Sequence, residues 1–281
     1  MSIQMKLGFE DYQFICGLVH QHSAIALEAD KKYLAESRLQ DLAKREGIDS
    51  LGTLVKRLRV DPKHNLLNKV VEAMTTNETS FFRDLHPFEA MRKKLLPELM
   101  ERRATQRRLR IWSAACSSGQ EPYSIAMLLR EHITDLQSWN VRLLASDLST
   151  EMLERAKLGM YSHLDINRGM PLPLLIRYFQ RNGLDWTIDD SIRQMVDFQM
   201  INLVSTWPSL GKMDLILLRN VLIYFNVESK KRVLERMADV LAPDGYLILG
   251  GSETTLFIND QYDRVEIPNF AVYRLKKRGM P

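Results

Sequence analysis

The chain has 281 residues, 45% of them hydrophobic, and a formal net charge of +4, so it is long enough for one large globular domain or two modest ones. No apolar run approaches the roughly 18 residues of a membrane span, and the first residues lack a signal-peptide pattern, which argues against membrane insertion and secretion. Two cysteines are too few for a disulfide framework, so a cytoplasmic setting is expected.

The first hundred residues are predicted to be helical. Apolar residues such as Phe14, Ile15 and Leu18 recur at helical spacing, and no alternation typical of a strand appears before Leu109. We therefore expect a helical N-terminal domain over residues 1–90 and a linker helix over residues 91–108. The linker region is rich in arginine and lysine, which fits either a surface for an acidic partner or an ordinary solvated helix.

From Leu109 onward the pattern changes to alternating strands and helices. Strands are predicted at residues 109–114, 141–146, 213–218, 246–249 and 270–275, and helices at residues 121–131 and 230–241. This alternation indicates a mostly parallel sheet with helices on both faces. Residues 160–200, with an Asn182-Gly183 turn, are predicted to form a small inserted β-subdomain instead.

The segment from residue 111 to residue 127 is the most informative part of the chain. It predicts a strand, a turn of small residues and a helix, as in the first unit of a nucleotide-binding sheet. Glu121 places a carboxylate at the turn, which disfavours a phosphate and suits a ligand with hydroxyl groups or positive charge. S-adenosylmethionine is such a ligand, although similar turns also serve packing alone. Cys116 is either one more small residue or, if exposed, an oxidisable thiol.

Two other predicted strands also end in polar residues. Asp147 follows the second strand, where an acid is expected to meet ribose hydroxyls, and Arg219 and Asn220 follow the strand at 213–218. Because ligands of doubly wound sheets bind beyond the carboxyl ends of the strands, these residues and Glu121 together indicate a nucleoside site.

The segment from residue 75 to residue 84 has two interpretations. It either ends one helix and begins another, or it forms a lid from which Asn77, Thr79 and Arg83 reach the ligand. In the second case Phe81 and Phe82 would pin the lid against the core.

Five regions of the chain resemble the CheR family of chemotaxis-receptor glutamate O-methyltransferases. They occur in the family's order and spacing, within residues 9–275. They are residues 76–83 (TNETSFFR), 112–126 (WSAACSSGQEPYSIA), 145–150 (ASDLST), 219–225 (RNVLIYF), and 241–245 (LAPDG) with 250–253 (GGSE).

This resemblance implies an α/β fold, namely a Rossmann-like class I methyltransferase sheet with a small all-helical N-terminal domain and an inserted β-subdomain. It places the methyltransferase domain at residues 109–281, with the β-subdomain at about 160–200. It implies transfer of a methyl group from S-adenosylmethionine to receptor glutamates, giving methyl esters for chemotactic adaptation and S-adenosylhomocysteine as product. The matching cofactor-binding residues are Asn77, Thr79, Arg83, Glu121, Asp147, Asn202, Leu203, Arg219 and Asn220. The matching catalytic residues are Arg83 and Tyr224.

The implied partner is the cytoplasmic helical domain of chemoreceptors, met by a basic N-terminal helix. Some family members also hold a receptor tail pentapeptide on the β-subdomain. In this chain that subdomain is short and the basic residues of 31–45 are diluted by acidic ones, so we expect a tail-independent enzyme. We also expect a monomer that binds neither a metal nor nucleic acid.

Three other functions share parts of this pattern. A small-molecule carboxyl methyltransferase would use the same sheet and cofactor but would need a lidded apolar pocket. A nucleic-acid methyltransferase typically carries an Asp/Asn-Pro-Pro-Tyr/Phe motif where this chain has Arg219-Asn220. A non-catalytic module would only sense S-adenosylmethionine.

Overall fold

The computed structural model describes residues 6–27, 29–61, 65–267 and 270–276. By their contacts, these residues form two units. One comprises the chain up to Thr76 together with residues 202–206 and 224–229, and the other comprises the rest. The domain limits predicted at residues 90 and 108 stay a prediction.

The first unit is helical, as predicted. Its helices are α1 (Phe9–Ser23), α2 (Lys32–Arg45), α3 (Leu51–Val60) and α4 (Asn65–Met74). Each presents one apolar stripe to a shared core, in which Ile15, Val19, Leu39, Leu54 and Val70 are completely buried. Isolated helices of 10–15 residues are marginal in water, so this burial is what stabilises them.

Two later segments of the chain complete the helical unit. The Asn202 side-chain amide donates to the His22 carbonyl over 2.6 Å. The Ala26 amide donates to the Tyr224 carbonyl over 3.0 Å. A single antiparallel bridge also joins Ile25 to Phe225.

The first helical stretch of the second unit changes its winding midway. It comprises α5 (His86–Ala90), a π-helical turn (Met91–Leu95) and α6 (Leu96–Arg102). Pro97 lacks an N–H, and in a regular α-helix its ring would meet the carbonyl four residues earlier. The wider turn directly before it relieves that clash.

From residue 108 the strands and helices alternate. They are β1 (Arg108–Ala114), α7 (Gln120–His132), β2 (Asn140–Asp147), α8 (Thr150–Leu158), β3 (Met160–Ser162), α9 (His163–Asn167), α10 (Leu172–Tyr178), β4 (Phe179–Asn182), β5 (Asp185–Ile188), α11 (Asp190–Arg193), β6 (Val196–Met200), β7 (Met213–Leu218), α12 (Val227–Val240), β8 (Leu241–Leu249), β9 (Tyr262–Ile267) and β10 (Phe270–Leu275). Among the residues that the structure describes, no helix combines the length and apolar character needed to cross a membrane.

Seven of these strands form the main sheet, in the order β6-β2-β1-β7-β8-β10-β9. The first five run parallel, and β10 is antiparallel to both of its neighbours. The predicted mostly parallel sheet is therefore confirmed. After β1, the chain adds β2 and β6 on one side of the sheet. It then returns to the other side of β1, where it adds β7 and β8. The crevice between β1 and β7 is the switch point at which doubly wound sheets bind ligands.

The inserted β-subdomain is a separate antiparallel sheet in the order β3-β5-β4. Trp186 on β5 pairs with Tyr161 on one side and Arg181 on the other. Strand β6 follows this subdomain in the chain but leaves it to pair with β2 in the main sheet, where Phe198 lies opposite Ala145. The sequence pattern had placed these residues in the inserted β-subdomain of residues 160–200, because a local pattern does not identify the strand with which another strand pairs.

The basic run of residues 91–110 is largely paired within the unit. Arg103 bonds the Asp214 carboxylate over 2.8 Å, and two further bonds join it to Asp244. Those bonds to Asp244, together with the charge of Asp214, raise the pKa of the Arg103 guanidinium above its usual value. Arg102 and Arg107 pair with acids of the same unit. Several charges of this run are thus paired within the unit, and both interpretations of the run stay predictions.

We predict that Arg103→Ala lowers the free energy of unfolding by about 3 kcal/mol, because it leaves the buried Asp214 carboxylate without its guanidinium. Arg108→Ala is the control, since this neighbouring side chain is exposed and its loss should change stability by less than about 0.5 kcal/mol. Denaturant titration followed by circular dichroism measures both. Equal stability of the two variants would show that the Arg103 pairs contribute nothing.

Candidate functional site

Three strand ends meet at the switch point of the main sheet. Ala114, the last residue of β1, pairs with Ser146 of β2 on one side and Leu218 of β7 on the other. The residues that follow these strands are therefore neighbours. The structure in this way brings Glu121, Asp147, Arg219 and Asn220 to one edge of one sheet.

The turn between β1 and α7 has an unusual backbone. Ala115, Ser117 and Gly119 all have positive φ values, of 61°, 50° and 93°. Such conformations cost non-glycine residues free energy and concentrate at functional sites. At Gly119 a Cβ atom would also lie 2.9 Å from the Ala156 side chain and 3.1 Å from the Tyr161 hydroxyl. Both the backbone conformation and the packing therefore require glycine there.

Asp147 holds this turn through its carboxylate. One oxygen accepts from the Ser117 amide over 2.7 Å, and the other accepts from the Ser149 amide over 2.9 Å. The N-cap of α8 is Ser149, whose hydroxyl accepts from the Met152 amide, so Asp147 is not simply the cap of that helix. A turn whose amide is bonded to an internal carboxylate is a poor phosphate cradle. Its negative charge fits a ligand with hydroxyl groups and a sulfonium, as in S-adenosylmethionine.

Glu121 and Arg219 form a buried ion pair beside the turn. One Glu121 oxygen accepts from the Ser113 hydroxyl and the other from Arg219 Nη1, each over 2.8 Å. The Arg219 side chain is 2% exposed. Its Nη2 donates to the Arg83 carbonyl and to the Asp84 carboxylate, again over 2.8 Å. One arginine thus ties helix α7 to the loop that carries Arg83.

The loop from residue 77 to residue 85 is pinned to the sheet unit. The Ser117 hydroxyl donates to the Asn77 carbonyl over 2.9 Å, and this bond brings the loop to the β1–α7 turn. Phe81 is completely buried and packs edge-on against Tyr161 at 4.9 Å between ring centroids. Phe82 packs against Phe88 in the same manner. The expected anchoring of the loop by two phenylalanines is confirmed.

The polar side chains of this loop are less enclosed. Asn77, Thr79 and Arg83 are all half-buried. Arg83 donates to the carbonyl of Glu78 over 2.7 Å. The guanidinium of Arg168 lowers the pKa of the Glu78 carboxyl, mainly through a hydrogen bond, with a smaller effect from the charge of Arg83.

The other predicted site residues, Asn202, Leu203 and Tyr224, belong to the helical unit. Asn202 is half-buried, and its side-chain oxygen accepts from the Val204 amide over 3.1 Å. Leu203 is buried, and Tyr224 ends a 3₁₀ turn that starts at Leu222. Their predicted roles stay predictions.

Cys116 is a buried residue and not a reactive thiol. It is 2% exposed. Burial, reinforced by the negative charges of Asp147 and Glu121, raises the pKa of the Cys116 thiol well above its usual value. It therefore serves as a small residue of the turn.

Sequence reasoning missed two carboxylates at this edge. Asp84 binds Arg219, and Glu253 binds the backbone of the segment after β7. Glu253 stands in one of the regions that carry the family resemblance, but a lone acid in a loop has no periodicity from which its bonding could be predicted.

Two domains that are characteristic of one protein family match this chain. Residues 77–271 match the domain described as "CheR methyltransferase, SAM binding domain", and residues 10–75 match "CheR methyltransferase, all-alpha domain". These ranges include all the residues predicted to bind the cofactor. The negative charge that Asp147 brings to the turn between β1 and α7 also fits S-adenosylmethionine.

Known relatives cover almost the whole chain. "Chemotaxis protein methyltransferase Cher2" of Pseudomonas putida is 42% identical over 97% of this chain and 100% of its own length. "Chemotaxis protein methyltransferase 1" of Pseudomonas aeruginosa is 43% identical with the same coverage. A Vibrio cholerae protein of that name is 38% identical over 97% of this chain and 99% of its own length. The chain therefore belongs to the CheR methyltransferase family, with the predicted Rossmann-like fold and S-adenosylmethionine as its cofactor.

Proposed function

We propose that this methyltransferase transfers the cofactor's methyl group to glutamate side chains of chemoreceptors, forming glutamyl methyl esters for chemotactic adaptation. The observation that carries the proposal is the acid-lined strand-end site, in which Asp147 holds the turn and Arg219 ties Glu121 to the Arg83 loop. The names of relatives that match nearly the full chain support the receptor as substrate.

The proposed reaction needs little from acid–base catalysis. The bound cofactor supplies a methyl group on a positively charged sulfur, which is ready for direct transfer. A glutamate acceptor has a pKa of about 4.3 in its free form, so it is already an ionised nucleophile near pH 7. What the enzyme must supply is orientation, for which positioned groups contribute several kcal/mol.

Three residues would each orient a different part of the reacting complex. Asp147, at the end of β2, would bind the ribose hydroxyls. Arg83 would hold the cofactor and attract the incoming carboxylate, and its loop is fixed because Arg219 bonds its backbone carbonyl. Tyr224 would direct the reacting methyl group. These assignments rest on the resemblance and on the strand-end geometry.

The product differs from the substrate in charge. Methylation turns a receptor carboxylate into a neutral ester, so an electrostatic attraction that draws the acceptor in is weakened after the reaction. The same loss of charge alters helix packing in the receptor, which would give a signalling output. We expect the partner to be the cytoplasmic helical domain of the receptor, and the enzyme to be a tail-independent cytoplasmic monomer.

The direct test uses labelled S-adenosylmethionine and membranes that carry candidate chemoreceptors. We expect label on the receptor that alkali releases as methanol, because glutamyl methyl esters hydrolyse in base whereas methylated amines do not. Receptors with glutamine in place of the acceptor glutamates are the control and should remain unlabelled. Label in a small metabolite instead would establish the small-molecule enzyme, and binding without any transfer would establish a sensing module.

Two substitutions should separate cofactor binding from methyl transfer. Asp147→Ala should raise the dissociation constant of S-adenosylhomocysteine at least about tenfold, equivalent to ~1.4 kcal/mol, with a smaller effect on turnover at saturating cofactor. Tyr224→Phe should leave that constant within about twofold and lower kcat by about tenfold. Calorimetry and initial rates measure these quantities.

The control for Asp147 is Asp197→Ala on the neighbouring strand β6. Asp197 is in an exposed pair with Arg142, and such pairs contribute little. Undiminished binding by Asp147→Ala would refute the ribose assignment.

A further inference from the structure

One carboxylate in the sheet unit is bonded almost entirely to backbone. Glu253 is 9% exposed. One of its oxygens accepts from the amides of Asn220 (2.8 Å) and Gly250 (2.7 Å). The other accepts from the amides of Val221 (2.9 Å) and Ile223 (3.3 Å). A carboxylate has about four lone-pair sites, so these bonds match its whole accepting capacity.

These bonds join two strand ends of the sheet. Residues 220–223 follow β7, whereas Gly250 follows β8. Successive amides that point at one centre form an anion-binding concavity, which many proteins use for a phosphate or another external anion. Here an internal side chain occupies it. The hydrogen bonds are charge-assisted and therefore stronger than bonds to a neutral acceptor.

The segment that Glu253 holds carries predicted cofactor residues. Asn220 has a left-handed φ of 57°, a conformation that asparagine tolerates better than most residues but that still needs support from its surroundings. Arg219 directly precedes it and bonds both Glu121 and the Arg83 loop. A change in the path of this segment would therefore move both residues.

We infer that Glu253 is a positioning residue for cofactor binding. It occupies the concavity formed by the amides after β7 and thereby fixes Asn220 and Arg219, without itself contacting the cofactor. This inference rests on the proposed assignment of Asn220 to the cofactor site.

A neighbouring glycine offers an independent way to disturb the same junction. A Cβ on Gly250 would lie 2.7 Å from a Glu253 carboxylate oxygen, 2.9 Å from the Asn220 amide nitrogen and 3.0 Å from the Asn220 side-chain nitrogen. An alanine there must displace Asn220 or Glu253 from its present position. A Cβ on Gly251, the next residue, would meet nothing within 4 Å. The two glycines therefore form a matched pair.

A matched carboxylate lies at the opposite end of the same strand. Asp214, near the start of β7, is 5% exposed and accepts from the Arg110 amide and from Arg103, each over 2.8 Å. Along an extended strand it lies about 20 Å from Asn220. Its loss should destabilise the protein much as the loss of Glu253 does, but far from the proposed cofactor site.

The experiment compares Glu253→Gln and Gly250→Ala with Asp214→Asn and Gly251→Ala. An amide side chain keeps the size of Glu253 but turns its NH₂ group toward backbone donors. We expect the first two variants to bind S-adenosylhomocysteine at least about tenfold more weakly in calorimetry, and the two controls to bind within about twofold of the parent. Melting temperatures should fall for both carboxylate variants, which separates stability from binding.

Each outcome decides one claim. If Glu253→Gln and Gly250→Ala bind S-adenosylhomocysteine like the parent, Glu253 is only structural and the inference is overturned. If Glu253→Gln does not fold, Glu253→Asp takes its place, because the shorter side chain keeps the charge but withdraws the carboxylate from the amides of Asn220, Val221 and Ile223. Asn220→Ala tests the proposed assignment of Asn220 to the cofactor site. If that variant binds S-adenosylhomocysteine like the parent, the assignment is refuted.

Discussion

The buried ion pair between Arg219 and Glu121 is the interaction on which the site depends. Breaking such a pair leaves an uncompensated charge in a buried place, at a cost of about 3–5 kcal/mol, so its members remain together once folded. Arg219 also bonds the carbonyl of Arg83 and the carboxylate of Asp84. The orientation of the loop therefore depends on the end of β7, and a segment that lacks regular secondary structure gains a fixed position.

The sign of the charge at the switch point determines which ligand fits. In many doubly wound sheets the amides of the first turn are left for a phosphate. In this protein the Ser117 amide donates to the Asp147 carboxylate, and burial, reinforced by the charges of Asp147 and Glu121, raises the pKa of the neighbouring Cys116 thiol. The carboxylates of Asp147 and Glu121 thus make this edge of the sheet better suited to a cationic nucleoside such as S-adenosylmethionine than to a phosphate.

Internal carboxylates organise both ends of strand β7. Asp214 ties its start to Arg103 and to the neighbouring strand β1. Glu253 ties the segment after its end to the segment after β8. The strand itself is completely buried and, apart from Asp214, apolar, so its own side chains contribute packing and do not orient the segments on either side of it. The carboxylates at its two ends orient those segments.

The sequence by itself was enough to predict the alternating strands, the helical start of the chain, and Glu121, Asp147 and Arg219 at the strand ends, because these depend on local periodicity and on position within a strand–turn–helix unit. The roles of individual residues came from the family resemblance. Only the tertiary structure decided that β6 joins the main sheet, that residues 202–206 pack with the helical unit, and that Glu253 holds the segment after β7. Those outcomes depend on hydrogen bonds and contacts between residues far apart in the chain, which a local pattern does not encode.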